Sequence, residues 1–499
     1  MNKIKSFIAK LLAKFMARRI KAWAKRPIEA QEKVFIELMT GARNTIFGRD
    51  HNFSEIDNYE DFKNLVPVRD YEDFRPYIKL IKEGEPDVLW NGKPIYFAKT
   101  SGTTSGTKYI PITKDSISNH INSARNALFM YIAETGNASV INGKWIFLSG
   151  SPELETIAEI PTGRLSGIVN HHVPSYLRKN QLPSWNTNCI LDWEEKVGLI
   201  VEETVHEDMR VVSGIPPWMQ MYFDRLKGKT GNRVGELFPN LSLLIYGGVN
   251  FEPYRSKIDQ SIGRRIDSIE FYPASEGFIA FQDSQKEKGM LLILNSGIFY
   301  EFIPADEYFK ENRKRISLKD VELGINYVII LNTNAGLFGY SIGDTVKFVS
   351  KDPYRIIVTG RIKHFISAFG EHVISEEVDR AFLAASMGSN VRIIEFTVAP
   401  KIDSCEGLPY HEWFIEFDNP PKDMESFRKK INDKMCEQNS YYRDLIEGGI
   451  LQPLKITVMQ RDAFKNYMQS QGKLGGQNKL PRLSNDRKIA DELERWIYA

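Results

Sequence analysis

The segment at 97–113 reads FAKTSGTTSGTKYIPIT, and its residue types are those that bind a polyphosphate. Gly102 and Gly106 let the backbone approach a bulky anion or adopt a positive φ. Lys108 supplies a compact positive charge, and hydroxyl groups that can donate hydrogen bonds precede it. These hydroxyls belong to Ser101, Thr103, Thr104, Ser105 and Thr107. The segment therefore predicts a loop that wraps a polyphosphate.

The spacing within this loop differs from that of the P-loop, which reads G-x-x-x-x-G-K-[ST]. Here three residues separate the two glycines, and the lysine comes two residues after the second glycine. A flexible Ser/Thr/Gly linker is the alternative interpretation. Apolar residues typical of strands flank the loop on both sides and favour a phosphate loop between two strands. They are Ile95, Tyr96, Phe97, Ile110 and Ile112.

A second motif reads YPASEG at 272–277 and combines an aromatic ring, a hydroxyl and a carboxylate. Tyr272 ends a predicted strand and could stack on a nucleotide base. Glu276 could hold a Mg²⁺ ion bound to phosphate oxygens, because magnesium prefers one or two carboxylates together with waters and phosphates. The alternative is an ordinary turn that Gly277 closes.

A third motif, YSIGD at 340–344, places an aspartate directly after a glycine. Gly343 permits a tight turn, and Asp344 could accept hydrogen bonds from two ribose hydroxyls. A glycine–aspartate pair between strands is often only a turn, and that alternative stays open here.

A fourth motif, QNKLPR at 477–482, follows a glycine-rich stretch near the end of the chain. Lys479 on such a loop could reach a phosphoryl group during its transfer. A solvated loop is the alternative.

The order of predicted elements indicates an α/β protein with two domains after its N-terminal helix. Strands and helices alternate from 145 to 272, as in a largely parallel sheet. Strands without long helices between them follow from 291 to 358, which predicts a second, more antiparallel sheet. Beyond Gly360 the pattern becomes α+β. We therefore predict a basic helix at 1–26, a large α/β domain at 27–360 and a small C-terminal domain at 361–499.

Composition and charge limit the class of protein to which the chain can belong and the partners that it can bind. The 499 residues are 42% hydrophobic and 26% charged, which is ordinary for a globular protein. The net charge is +2, yet residues 1–26 contain nine basic residues and no acidic one. The remainder is therefore acidic, which argues against a nucleic-acid partner. Three widely separated cysteines predict neither a disulfide framework nor a zinc site, and we expect a cytoplasmic protein.

The N-terminal segment is predicted to be a basic amphipathic helix with three possible roles. It could be a surface helix packed on the first domain, it could contact a membrane peripherally, or it could direct targeting. Its apolar residues recur at helical spacing and are Ile4, Phe7, Ile8, Leu11, Leu12, Phe15, Met16 and Ile20.

Together the motifs resemble those of the AMP-forming adenylating superfamily. The scheme is TSGTTSGTK, then Y-x-x-x-E-G, then Y-x-x-G-D, then a G-R-x-K pattern from Gly360, then a late lysine. Within it, QNKLPR, GRIKHFISAFGEHV and the helical N-terminus resemble the Gretchen Hagen family of acyl-acid amido synthetases. One departure is clear: plant members typically read Y-R-Y-R-x-G-D, whereas FGYS precedes Gly343 here.

This resemblance implies an ATP- and Mg²⁺-dependent ligase that adenylates a carboxylic acid and transfers the acyl group to an amine, expected to be an amino acid. It also implies that the C-terminal domain is mobile and that Arg361–Lys363 form the hinge. The implied pyrophosphate ligands are Ser101, Thr103, Thr104, Ser105 and Lys108. The other implied nucleotide-site residues are Tyr272, Ser275, Gly277, Asp344 and Arg361, with Glu276 as the Mg²⁺ ligand and Lys479 as the catalytic cation at the α-phosphate.

Two alternatives remain at the level of sequence. An acyl-CoA ligase would share the adenylation step and pass the acyl group to a thiol. A non-catalytic adenylate-binding protein would keep the site without turnover.

Overall fold

The computed structural model describes residues 2–100, 107–173, 175–190, 192–248, 251–362, 365–371, 373–387, 389–402, 407–471 and 480–498. These residues form two compact units. The larger unit comprises residues 2–100, 107–190 and 196–362, and the smaller one includes the residues from 365 onward.

The larger unit begins with five helices. They are α1 (Asn2–Ala24), α2 (Pro27–Ala42), α3 (Ile46–Asp50), α4 (Tyr59–Leu65) and α5 (Tyr71–Lys82). Asn58 and Asp70 begin α4 and α5 with capping boxes, which satisfy backbone N–H groups that the first turn leaves free. The rings of Phe47, Phe74 and Phe338 stack in the core and anchor these helices beside the YSIGD segment.

Helix α1 packs on the larger unit through small residues. Its buried residues are Ala9, Ala13, Ala17, Ile20 and Ala24. The sequence led us to expect a surface helix as one possibility, and the structure shows one. Six of the eight residues that defined the apolar pattern, however, face solvent, and they are Ile4, Phe7, Ile8, Leu11, Leu12 and Phe15. Among the helices described, none is long and apolar enough to cross a bilayer.

A small four-stranded sheet follows and frames the phosphate-loop motif. The next elements are β1 (Tyr96–Thr100), β2 (Lys108–Ile112), α6 (Ile117–Thr135), β3 (Lys144–Phe147), β4 (Glu155–Ile157) and β5 (Ile160–Gly163). The strand order is β2-β1-β5-β4. Strands β1 and β2 pair antiparallel with Thr100 opposite Lys108.

Alternating helices and short strands build one half of the main sheet. They are α7 (Leu165–His171), α8 (Ser175–Arg178), β6 (Gln181–Leu182), α9 (Trp185–Cys189), α10 (Trp193–Thr204), β7 (Met209–Ser213), α11 (Pro216–Thr230), α12 (Val234–Leu237), β8 (Leu243–Gly247), α13 (Glu252–Ile262) and β9 (Asp267–Ala274). Strands β6, β3, β7, β8 and β9 are parallel neighbours, as the alternation predicts.

Antiparallel strands complete the same sheet. They are β10 (Gly277–Phe281), β11 (Met290–Leu292), β12 (Ile298–Pro304), β13 (Ile316–Ser317), β14 (Asn326–Thr333), β15 (Tyr340–Lys351) and β16 (Tyr354–Arg361). The full order is β13-β12-β14-β15-β16-β11-β10-β9-β8-β7-β3-β6. The prediction of a second, separate antiparallel sheet is therefore wrong. The tight β9–β10 hairpin joins the parallel and antiparallel halves into one twelve-stranded sheet. The local sequence pattern does not indicate that the two halves are joined there.

The smaller unit is α+β, as predicted. Its elements are β17 (Phe365–Ile366), β18 (Val373–Ile374), α14 (Ser375–Ser386), β19 (Arg392–Lys401), β20 (Tyr410–Asn419), α15 (Met424–Gln438), α16 (Ser440–Glu447), β21 (Lys455–Met459), α17 (Ala463–Ser470) and α18 (Lys488–Leu493). Strands β19-β20-β21 form its main sheet. Large buried side chains such as Trp413 and Phe396 belong to the core of this unit.

Candidate active site

The phosphate-loop motif is anchored at both ends by β1 and β2. The predicted ligands Ser101, Thr103, Thr104 and Ser105 lie outside the described residues. Lys108 is described, and its ammonium group lies 5.7 Å from the centre of the Tyr71 ring. The Tyr71 hydroxyl oxygen accepts a hydrogen bond of 2.8 Å from the backbone N–H of Tyr109. Helix α5 thus positions the strand that begins with Lys108.

The YPASEG motif forms the two-residue turn between β9 and β10, with Ala274 paired to Gly277. Ser275 and Glu276 occupy the turn, where each is partly exposed. A Cβ atom at Gly277 would lie 2.5 Å from the Ile298 Cδ1 atom, so this glycine allows close packing behind the turn.

Asn119 of α6 holds the same turn from below, a contact that sequence reasoning missed. Its Oδ1 atom accepts a hydrogen bond of 2.6 Å from the Phe278 N–H, and its Nδ2 atom donates one of 3.1 Å to the Phe278 carbonyl. Asn119 is buried, and it lies in a helix with no motif to mark it. Its role follows only from its burial in the fold, because buried polar side chains must find partners.

Tyr272 and Asp344 meet although 72 positions separate them. The buried Tyr272 hydroxyl donates a hydrogen bond of 2.6 Å to Asp344 Oδ2. Burial, and then the negative charge of Asp344, raise the pKa of Tyr272 well above its usual value. Tyr272 therefore remains a neutral donor at physiological pH. The structure brings the second and third motifs into direct contact.

Arg361 completes the same cluster. It ends β16, pairs in register with Asp344 across the hairpin, and its Nε atom donates a hydrogen bond to Asp344 Oδ1. Burial acts to lower the pKa of Arg361, but the Asp344 carboxylate outweighs it and the pKa is raised. The backbone N–H of Ile362 also donates to the Gly343 carbonyl at 2.8 Å. Arg361 is thus fixed within the larger unit, while the predicted hinge partner Lys363 lies outside the described residues.

Glu276 experiences opposing influences. Although the residue is partly exposed, desolvation of its carboxyl group by surrounding protein raises the pKa, while the positive charges of Lys108 and Arg361 act to lower it. The net direction is upward. These charge effects place Glu276 near both Lys108 and Arg361, so the larger unit collects Lys108, Tyr272, Glu276, Asp344 and Arg361 in one site.

Tyr340 joins this site as a residue that the motif analysis quoted without a role. Burial, and then the charge of Glu276, raise the pKa of its hydroxyl well above the usual value. Side-chain hydrogen bonding to Glu276 contributes to the same shift of the pKa. The buried Tyr340 hydroxyl therefore lies directly beside the Glu276 carboxylate and is a further polar group of this site.

The donor set fits magnesium held partly by substrate. Within the described part of the chain, no group of three or more metal-binding side chains occurs. Asp344 is the second carboxylate of this site and is already engaged by Tyr272 and Arg361. Glu276 is therefore the carboxylate that suits an ion whose remaining ligands are phosphate oxygens and waters.

Lys479 lies outside the described residues, but the segment that follows it is described and is hydrogen-bonded to β19. The Pro481 carbonyl accepts a hydrogen bond of 2.8 Å from Thr397 Oγ1, and the Arg482 carbonyl accepts one of 2.9 Å from the Val398 N–H. Both contacts run along β19. The segment shortly after the late lysine is thus anchored to the sheet of the smaller unit.

Known structures share this fold. The chain superposes on AtGH3.15 acyl acid amido synthetase in complex with 2,4-DB with a TM-score of 0.60 at 17% identity, covering 98% of this chain and 96% of that one. It superposes on 2-hydroxyisobutyryl-CoA ligase with a TM-score of 0.59 at 13% identity, covering 95% and 92%. The fold is therefore one that acyl acid amido synthetases and acyl-CoA ligases have in common.

Sequence comparison identifies the family. Profiles of the GH3 family N-terminal, central and C-terminal domains match residues 16–197, 291–361 and 376–488. The chain belongs to the GH3 family, which confirms the resemblance to the Gretchen Hagen enzymes.

Two relatives show how far this chain has diverged in sequence from other proteins of the family. Indole-3-acetic acid-amido synthetase GH3.3 of Arabidopsis thaliana is 21% identical, covering 94% of this chain and 91% of the relative. Jasmonoyl–L-amino acid synthetase JAR4 of Nicotiana attenuata is 23% identical over 57% of this chain, and that match spans 60% of the relative.

Proposed function

We propose that this protein is an AMP-forming acyl-acid amido synthetase. In the first half-reaction a carboxylate oxygen attacks the α-phosphorus of ATP, and the bond to the leaving pyrophosphate breaks. In the second, the nitrogen of an amine, expected to be an amino acid, attacks the acyl carbonyl. AMP departs and the nitrogen loses a proton, which leaves an amide. The relatives named above are amido synthetases by name, in agreement with this ligase class.

The observation that carries the proposal is the joining of Tyr272, Asp344 and Arg361 beside Glu276 and Lys108. A carboxylate offers about four lone-pair positions. Tyr272 and Arg361 each engage one oxygen of Asp344, so further positions remain for the two ribose hydroxyls. The two donors also orient the Asp344 carboxylate before a nucleotide arrives.

ATP is held in this proposal by groups around that cluster. Lys108 and the loop hydroxyls of Ser101, Thr103, Thr104 and Ser105 bind the phosphates that leave as pyrophosphate. Tyr272, Ser275 and Gly277 border the adenine. Mg²⁺, bound by Glu276, would neutralise charge on the phosphate oxygens.

Lys479 supplies the cation at the α-phosphate. Charge develops there as the carboxylate attacks, and a positioned cation stabilises it most in the transition state. The chemistry therefore depends on placement and electrostatics more than on proton transfer.

Pyrophosphate exchange into ATP tests the proposal. The purified protein is incubated with ATP, Mg²⁺, labelled pyrophosphate and a panel of carboxylic acids, one at a time. Exchange that depends on one acid supports adenylation. Absence of exchange with the whole panel would favour a non-catalytic adenylate-binding protein.

The accepting nucleophile is tested separately. The active acid is supplied with ATP, a mixture of amino acids and coenzyme A, and the products are analysed by mass. An amide supports the proposal, whereas a thioester alone would assign the protein to the acyl-CoA ligases.

We include two properties of the whole protein in the proposal. It works in the cytoplasm, where its three widely spaced cysteines would stay reduced. It also contacts membranes peripherally through residues 1–26, where the basic residues are concentrated.

A further inference from the structure

Helix α1 has two apolar sides, and only one of them is used inside the protein. Successive residues of an α-helix are rotated by about 100°. On that geometry, Ala9, Ala13, Ala17, Ile20 and Ala24 share one side, and the structure buries all five. The side chains of Ile4, Phe7, Ile8, Leu11, Leu12 and Phe15 point about 170° away from them. We call these six residues the outer stripe.

The outer stripe is exposed to an unusual degree for large apolar side chains. Ile4, Phe7 and Phe15 are 66%, 63% and 57% accessible, and the other three are about half accessible. Single exposed apolar residues are normal on protein surfaces, but a contiguous stripe marks an interaction surface.

Basic residues border the stripe along its length. By the same helical geometry, Lys5 lies along one edge, Lys3, Lys10, Lys14 and Lys21 lie along the other, and Arg18 and Arg19 follow Phe15 on the side of the stripe itself. All seven are exposed, and α1 contains no acidic residue. The Arg19 guanidinium lies 5.9 Å from the centre of the Phe15 ring, so it extends over the stripe itself. A face that combines large apolar residues with flanking cations complements an anionic lipid surface.

We infer that α1 is a built-in membrane-contact helix that lies flat on an anionic bilayer, with the outer stripe inserted among the acyl chains and the flanking lysines on lipid phosphates. The alanine side keeps the helix attached to the larger unit while the stripe is buried in lipid. The inference rests on the proposed membrane contact and is independent of the ligase chemistry.

Charge distinguishes the bilayer from a second copy of the chain as the occupant. A symmetric dimer through the stripe would bring two sets of cations together, with no acidic residue on α1 to compensate them. Like charges placed opposite each other oppose association. Anionic lipid headgroups remove this repulsion.

Flotation with lipid vesicles tests the inference on the full-length protein. We expect binding to vesicles of phosphatidylcholine with phosphatidylglycerol, and at least about ten-fold weaker binding to phosphatidylcholine alone. Substituting Phe7→Ser, Leu11→Ser and Phe15→Ser together is expected to reduce binding to the anionic vesicles by at least about ten-fold. Reversing Lys10→Glu and Lys14→Glu should reduce it similarly and weaken its salt dependence.

A matched control removes exposed apolar residues elsewhere on the larger unit. Phe309, Leu323 and Ile325 are 72%, 55% and 41% accessible, and changing all three to serine should leave vesicle binding unchanged. Thermal unfolding and pyrophosphate exchange in solution establish that the α1 variant is folded. Both should match the parent protein, because the alanine side is intact.

Several outcomes would overturn the inference. They are equal binding of the parent and the stripe variant, equal loss in the control variant, or a concentration-dependent dimer without vesicle binding. If exchange is absent but anionic vesicles still bind through the stripe, the ligase proposal fails and this inference stands.

Discussion

Asp344 and Arg361 face each other across the β15–β16 hairpin, with the guanidinium Nε donating to the carboxylate. Tyr272 donates to the other carboxylate oxygen from β9. Removal of either donor leaves a buried carboxylate with incomplete hydrogen bonding. Stability and nucleotide binding should therefore change together at this cluster.

Changing Arg361→Met tests that coupling. We expect a loss of about 1–3 kcal/mol in the free energy of unfolding, because a buried acceptor loses a charged donor. We also expect KM for ATP to rise by about ten-fold or more. A hydrogen bond to a charged group contributes about 1.5–3 kcal/mol, and about 1.4 kcal/mol corresponds to a ten-fold change in affinity. Urea unfolding and exchange kinetics measure the two effects.

Arg355→Met is the matched control. Arg355 donates two hydrogen bonds of 2.9 and 2.8 Å to Asp283 in the larger unit. The Arg355 side chain is 10% accessible, against 32% for Arg361, so the variant should lose at least as much stability, without a selective rise in KM for ATP. Equal KM changes in both variants would show that the Arg361 effect is only structural.

Glu276 predicts a pH-dependent stability. Its folded-state pKa is raised by burial, so the folded state retains the proton to higher pH than the unfolded chain. Stability from this group is therefore present below the ordinary carboxyl pKa and decreases as pH rises through the folded-state value. Glu276→Gln should remove that decrease, so the variant should melt at a higher temperature near pH 7 and equal the parent near about pH 4. If the melting temperatures of the variant and the parent differ by the same amount at every pH in that range, the prediction is wrong.

Glu276→Gln should also lose Mg²⁺-dependent exchange.

Lys479→Ala should separate nucleotide binding from chemistry. We expect exchange to fall by about 10²–10³-fold or more, the cost of removing one group that stabilises developing charge. ATP binding measured by calorimetry should change little. Lys473→Ala, in the same glycine-rich segment, is the control and should retain exchange. Full exchange in Lys479→Ala would refute the assigned role.

Asn119→Ala tests whether the β9–β10 turn must be held in place. The variant loses both hydrogen bonds to Phe278, which should cost about 1–3 kcal/mol of stability. We expect kcat for exchange to fall as well, because Ser275 and Glu276 lie in that turn. Asn439→Ala in the smaller unit is a suitable control, since the buried Asn439 accepts a hydrogen bond of 2.9 Å from the Tyr442 N–H and donates one of 3.0 Å to the Glu371 carbonyl. If both variants lose kcat equally at matched stability, the turn has no special role.

Local patterns were enough to predict much of this fold. Buried-strand runs separated by amphipathic helices predicted the parallel strands up to β9. The resemblance to the adenylating superfamily named Tyr272, Asp344 and Arg361, which the structure places in contact. The single twelve-stranded sheet was not predictable, because strand order depends on packing between residues far apart in sequence. The Tyr272–Asp344 contact depends on that order.

Helix α1 shows a second limit. Periodicity predicted a helix and its apolar residues, but not which apolar side would pack inside. Large residues usually fill cores, so the alanine side was overlooked. Close approach of the α1 backbone to α6 and neighbouring elements favours small residues, and that requirement exists only in the folded protein.

The pairing of Thr100 with Lys108 has a consequence for the phosphate loop of the proposed function. Bringing the two ends of a loop together carries an entropic penalty that grows with loop length. The β1–β2 ladder joins those ends during folding. The nucleotide therefore meets a segment whose ends are already together, and binding energy that would be used for closure remains available for the transition state.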